Sequence, residues 1–299
     1  MMNGFDPLAA RFLVDLDRIQ SRSHKAERQI SSGLRVETAS DSPEEVVEIL
    51  RLRSGLEANG QVQMNLARVQ TRVNTAEKAV QEAVAIMERA RVLAAETGTA
   101  GALNRAAAAE ETSQLHARLL ALVSTSASGQ FVFGSDGSAV SPYVADATQP
   151  NGVRLVAATR TNTVVVSDEN QTTFSVDRTA SDLFDAPGAA NAFQALQDLK
   201  NALNSDSEVD VRAAMPKIDA SLDHINRQLS FYGHAQNRIT NAYDSARKNA
   251  ISLKTRLGNL QDADLPAAIL ELNATKLHTE TALAAHAKAR RSTLFDYLG

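Results

Sequence analysis

The sequence predicts a mainly α protein: a long antiparallel helical rod or coiled-coil bundle formed by the N- and C-terminal halves, with a small β-rich insert at the tip. Three observations predict it. From Val211 to Leu260, apolar or small residues return at alternating steps of four and three, through Met215, Ile218, Leu222, Ile225, Leu229, Tyr232, Ile239, Ala246 and Leu253. A 3.5-residue repeat stacks side chains along one seam of a helix, and coiled coils bury such seams. A second seam of the same rhythm runs from Val62 through Leu66, Val73, Val80 and Met87 to Ala94. Between the two, the composition changes to short β-branched runs broken by turn residues, which is the insert. At ~1.5 Å per residue the first seam alone is a helix of roughly 75 Å, and a lone helix cannot hide it.

Taken in order, the chain starts with a helix whose stripe is Leu8, Phe12, Leu16, Ile19, Ser23, Ala26 and Ile30, with Pro7 suited to the first turn. Gly33 is expected to end it in a left-handed cap. A polar connector closes on Asp41, Ser42 and Pro43, a helix-start signature with Glu44 and Glu45 in the favourable first turn. The next helix carries the Val62 to Ala94 seam and breaks at Thr97 to Gly101; a third runs from Leu103 to about Ser124. Strands are expected between Gln130 and about Val176, and helix resumes from Ala189 to Leu203. In the long C-terminal helix Pro216 predicts a start or kink and Gly233 continuity. Gln261 to Asp264 is a break with a new N-cap, and Pro266 opens the last helix, whose apolar residues Ile269, Leu270, Leu272, Leu277, Leu283 and Ala284 form a patchier seam. The expected organisation is a terminal helix over 1–42 pairing with 262–299, two rod halves over 43–135 and 189–261, and the insert over 136–188.

Composition narrows the function. The chain has 299 residues, no Cys and no Trp, a net charge of −4 and a pI near 5.9. Nothing in that balance draws it to nucleic acid or an anionic membrane. Without cysteine there is no disulfide or thiolate metal site. The stretch from Met1 to Asp15 lacks a basic region followed by an apolar run, so no cleavable signal is expected there. No apolar run of 18 residues is present to span a membrane. The six histidines show no HExxH spacing, and His278 with His286 is not a ligand pair. Asp262 and Asp264 read as capping residues, and Ser135 to Ser138 as a turn. No nucleophile stands beside a base, so no catalytic residue, cofactor or metal is assigned and the protein is read as non-enzymatic.

Three motifs carry a family resemblance. QISSGLRVETASD at Gln29 to Asp41 resembles the SSGLRI motif and downstream SxxD of bacterial flagellins; GQFVFGSD at Gly129 to Asp136 and TLFDYLG at Thr293 to Gly299 are similar to segments of the hook-associated branch of that family. The Asn237, Arg238 pair and the Asp262 to Asp264 step fit the C-terminal half, and SDSPEE at Ser40 to Glu45 is nearer the hook-associated pattern than the flagellin one. The opening MMNGFDP and Phe295 depart from it. The resemblance covers 1 to 135 and 190 to 299.

It implies a structural subunit of the bacterial flagellum, joining hook to filament by polymerising through its terminal helices. A filament-forming flagellin is the alternative within the family, and a cytoplasmic coiled-coil scaffold the alternative outside it. Implied partners are further copies in a ring or tube, neighbouring hook-associated proteins and flagellin, and a cytoplasmic export chaperone on the C-terminal segment, with export through the type III route. Terminal helices that cannot satisfy their apolar stripes in a monomer do so against neighbours, and disordered ends can pass a narrow channel before ordering. The expected assembly residues are Leu16, Ile19, Ile30, Gly33, Leu34, Arg35, Leu283, Leu294, Phe295, Tyr297 and Leu298. The insert is expected to be dispensable for assembly.

Overall fold

A computed structural model describes residues 7–99, 104–134, 140–156, 165–167 and 173–289. Its helices are α1 (Pro7–Ser32), α2 (Pro43–Thr97), α3 (Arg105–Val123), α4 (Ala180–Phe184), α5 (Ala192–Asn204), α6 (Glu208–Gln261) and α7 (Leu265–Ala289). The strands are β1 (Ser126–Ala127), β2 (Gln130–Phe131), β3 (Tyr143–Ala145), β4 (Val153–Leu155), β5 (Val165–Ser167) and β6 (Thr173–Ser175). They pair as three antiparallel two-stranded ladders, β1 with β2, β3 with β4 and β5 with β6. The chain divides into two compact units, 59–248 and a terminal one made of 1–58 with 249–299; α2 and α6 contribute residues to both.

In the central unit the two seams bury their side chains as the heptads require. Leu66, Val73, Val80, Met87 and Ala94 on α2 and Val211, Ile218, Ile225, Tyr232 and Ile239 on α6 are nearly inaccessible to solvent. Across the pair, Gln236 Nε2 donates to Asn74 Oδ1 at 3.1 Å and Arg91 pairs with Asp219 at 3.0 Å. α2 also buries Ala79, Ile86 and Leu93, a second stripe seven residues apart, which belongs to the side met by α3. There Arg89 holds Glu111 through two hydrogen bonds, and Arg118 lies 3.6 Å from Glu82. α3 packs on α5, so four long helices share the core.

The boundaries depart from expectation at several points. α6 begins at Glu208 and keeps Pro216 within it, eight residues from the start. α5 begins at Ala192, behind a single 3₁₀ turn at Gly188–Ala190, because Asn191 caps it by accepting from Gln194 N–H at 2.9 Å. The insert lies beside the helices, because α3 runs back along α2 before the strands begin. It also contains α4, closed by a capping box in which Thr179 and Asp182 satisfy each other's backbone N–H. Nor is it separable: Tyr143, Val153, Phe174, Val176, Leu183 and Phe184 are buried in the same cluster as Leu119, Phe193 and Leu196. Phe133, Phe184 and Phe193 meet edge to face, at 5.6 and 6.5 Å between rings. This packing argues against the expectation that the insert is dispensable for assembly, since removing it would open the core.

The terminal unit is built differently. α1 packs on α7, and the first turns of α2 lie with the last turns of α6, where a Cβ on Gly55 would stand 3.5 Å from Leu253 Cδ1. Among its described residues, only Ala26, Val36, Ile49, Leu52 and Ala268 are fully buried hydrophobic side chains. No helix among the described residues is long and apolar enough to cross a membrane.

Candidate assembly surface

The motif around Gly33 forms the corner of the terminal unit. Gly33 adopts φ of +72°, which only a residue without Cβ takes freely, and its N–H closes α1 on Gln29 O at 2.9 Å. The chain then zips against the turn between α6 and α7. Ala263 N–H donates to Gly33 O at 2.9 Å, Arg35 N–H to Gln261 O at 2.6 Å, and Leu34 stands opposite Asp262 as in an antiparallel bridge. The Arg35 guanidinium reaches Glu45 on α2 at 2.7 Å and the carbonyl of Leu260 on α6. One short segment thus ties three helix ends together. Asp41 shapes the rest of the connector by accepting from the backbone and hydroxyl of Thr38 and from Glu37 N–H. The Thr38 backbone hydrogen bond, followed by its hydroxyl, holds the Asp41 carboxyl below the usual range.

Along α1 the half-buried and buried positions Phe12, Leu16, Ile19, Ser23, Ala26 and Ile30 keep the four-three rhythm. The matching positions on α7 are Ala268, Leu272, Thr275, Thr279, Ala282 and His286. Phe12 stacks on His286 with ring centroids 4.1 Å apart, and Arg22 Nε donates to Glu271 Oε1 at 2.7 Å, which fixes an antiparallel register. Leu16, Ile19 and Ile30 thus sit on the α1 face that meets α7 within the chain, and Leu34 and Arg35 belong to the corner. Leu283 is different: it is exposed, on the flank of α7 beside the stripe that meets α1. Leu294, Phe295, Tyr297 and Leu298 lie outside the described residues.

Leu283 is not alone. Ile269, Leu270 and Leu277 are also exposed on α7, Leu270 at 71% and Leu277 at 60%. α7 is therefore apolar on two faces, one spent on α1 and one open to solvent, and a helix apolar all round belongs in an interior. Leu13 and Val14 on α1, Val47 and Leu50 on α2, Ile251 on α6 and Leu265 at the corner are exposed as well. A search for one seam per helix misses this outer face. Its signal in the sequence is the patchiness of the last seam, which contains more apolar residues than a single stripe can hold.

Two models of one family match the chain: the bacterial flagellin N-terminal helical region over residues 8–137 and the bacterial flagellin C-terminal helical region over residues 215–298. The chain belongs to the flagellin family. A flagellin of Bacillus subtilis (strain 168) is 22% identical over 281 residues, covering 91% of this chain and 90% of its own. The fold is similar to that of a putative flagellar hook-associated protein from Vibrio parahaemolyticus, with a TM-score of 0.66 at 16% identity, over 74% of this chain and all of the other. It is likewise similar to Bacillus cereus FlgL, with a TM-score of 0.56 at 16% identity, over 71% of this chain and all of that one. Membership makes the protein a structural component of the bacterial flagellum rather than an enzyme, exported and assembling with copies of itself and other flagellar parts.

Proposed function

We propose that the protein joins hook to filament, polymerising through its terminal unit into a ring or short tube. The observation that carries the assembly half of this reading is the outer face of α7, where Ile269, Leu270, Leu277 and Leu283 are open to solvent. Each such side chain contributes about 1.5 to 3 kcal/mol when fully buried, and Leu270 and Leu277 keep most of that area open to solvent. Leu283 is their member from the expected set; Gly33, Leu34 and Arg35 hold the corner from which α7 departs. Leu294, Phe295, Tyr297 and Leu298, outside the described residues, complete the proposed assembly set. Leu16, Ile19 and Ile30 contribute by seating α1 on α7 rather than by meeting a neighbour.

The placement at the junction is supported by the fold shared with the Vibrio hook-associated protein and with FlgL, and by the SDSPEE and TLFDYLG segments. In this reading the neighbours along the axis are hook-associated proteins and flagellin, export needs no cleaved signal, and a cytoplasmic chaperone covers the C-terminal segment beforehand. Antibody labelling of isolated flagella tests the placement. Label confined to the hook end of the filament is expected; label along the whole filament would make the protein a filament flagellin instead.

A further inference from the structure

The segment 173–182 runs as a strap along the flank of α6. Four α6 residues spaced by seven reach across to whatever covers that flank: Lys217 Nζ to Asp198 on α5 at 2.6 Å, and His224 Nε2 to the carbonyl of Asp182 at 2.7 Å. Below them the Phe231 ring lies under the Arg178 guanidinium at 4.2 Å, and the Arg238 guanidinium over the Phe174 ring at 4.3 Å. A spacing of seven keeps all four on one side of a supercoiled helix, and each step advances ~10.5 Å. The strap meets the last three with Asp182, Arg178 and Phe174, four residues apart; from Phe174 to Arg178 the chain is extended and covers ~13 Å, while Asp182 lies in the first turn of α4. The extended part therefore matches one helix repeat, and α4 carries the chain to the next contact. Where α3 and α5 have ended, it is the third wall of the α2/α6 pair, and it buries Phe174 and Val176.

Both ends of the insert come together at one side chain of α2. Arg72 Nη2 donates to the carbonyl of Val132 at 2.9 Å and lies 3.4 Å from that of Phe131, on the outgoing stem; it stands 3.3 Å from Asp177 Oδ2 on the returning stem. The Arg72 side chain is 16% exposed and that of Asp177 2%. Between the stems, Ala180 N–H donates to Phe133 O at 3.2 Å. All three contacts use the terminal nitrogen Nη2, and a lysine amine ends one bond short of it, at the place of the guanidinium carbon, so it does not reach the same acceptors.

We propose that Arg72 is a latch that closes both stems of the insert onto α2 and so holds the 173–182 strap in register on α6. The strap then acts as a splint on the central unit, and its docking depends on a residue about 100 positions away in the sequence. This holds whether the subunit works at the junction or in the filament.

Hydrogen exchange on the full-length protein tests the latch. In Arg72→Met, the amides of Val132 and Ala180 should exchange at least tenfold faster than in the wild type. Amides of α3 and α5 should keep their wild-type rates, and Arg72→Lys should not restore the stems. Should Arg72→Met fail to fold, Asp177→Asn removes the charge of one arm and is read on the same amides, with the same selective acceleration expected. Unchanged stem amides, a uniform acceleration across the whole central unit, or full rescue by Lys would each overturn the latch.

Discussion

Replacing Gly33 by Ala probes the corner of the terminal unit. At φ of +72° an L-residue carries a backbone penalty of roughly 1 to 2 kcal/mol, and the new Cβ meets no heavy atom within 4 Å, so the penalty is backbone strain alone. The substitution also removes conformational freedom from the unfolded chain, which offsets about 0.4 to 1 kcal/mol. The chain could escape by continuing α1 through residue 33. That route would break the hydrogen bonds between Gly33 O and Ala263 and between Arg35 N–H and Gln261 O, and release the Arg35 guanidinium from Leu260. At about 0.5 to 1.5 kcal/mol each, these outweigh the strain, so the corner should stay closed in a strained form. A net local cost of about 1 kcal/mol corresponds to roughly fivefold faster exchange at the amides of Arg35 and Ala263, with little change in the melting of the central unit. Incorporation into flagella should fall with it. Gly33→Asn should recover most of both, since Asn visits this conformation readily. If Asn exchanges as fast as Ala, or if Ala leaves the two amides at wild-type rates, the left-handed conformation is not what the position requires.

Other consequences fall in the central unit. Joining 135 to 189 across a deleted insert should abolish cooperative thermal unfolding, because Tyr143, Leu183 and Phe184 leave the core together; a sharp, wild-type-like melt would show that the remaining helices suffice. Phe184→Ala alone should lower chemical stability by about 3 to 5 kcal/mol. Burial depresses the His116 pKa, against a weaker raising effect from its hydrogen bond to Asn151 O, so the neutral ring is favoured in the folded state. Its contribution is thus present above the unfolded value of about 6.5 and lost as the pH falls through the lower folded one. The melting temperature should drop on acidification below pH ~6.5 by more in the wild type than in His116→Gln; equal slopes would exclude the histidine as a source.

The helical architecture was legible because heptad periodicity is a local property with a single physical meaning: Val73, Val80 and Met87, or Ile218, Ile225 and Tyr232, have nowhere to go but a seam. The helix ends at Gly33, Pro43 and Gln261 were legible for the same reason, since a left-handed cap and a first-turn proline act on the residues that carry them. What the sequence did not disclose is placement. Nothing near Ser124 signals that α3 returns along α2, so the insert reads as a tip although it packs alongside. Arg72 looks like any solvated arginine of a helix until residues 131, 132 and 177 arrive from afar. On α7 the apolar residues were all visible, yet a one-seam template absorbed only those that meet α1 and left Leu270 and Leu277 as noise.

That outer face is where the account of assembly stands or falls. Leu270 and Leu277 are 71% and 60% exposed, so burying the remainder of each in a neighbour contributes about 1 to 2 kcal/mol of a full burial of 1.5 to 3. The double substitution Leu270→Ser, Leu277→Ser should then raise the concentration needed for polymerisation roughly 30- to 700-fold, at about 1.4 kcal/mol per tenfold. Measured beside it, the melting temperature of the monomer should move by no more than about 2 °C, since most of each side chain already stands in solvent. Assembly lost with monomer stability intact is the predicted result. Polymerisation at the wild-type concentration, or a monomer destabilised enough to account for the loss, would contradict the claim that α7 keeps its second apolar face for another subunit.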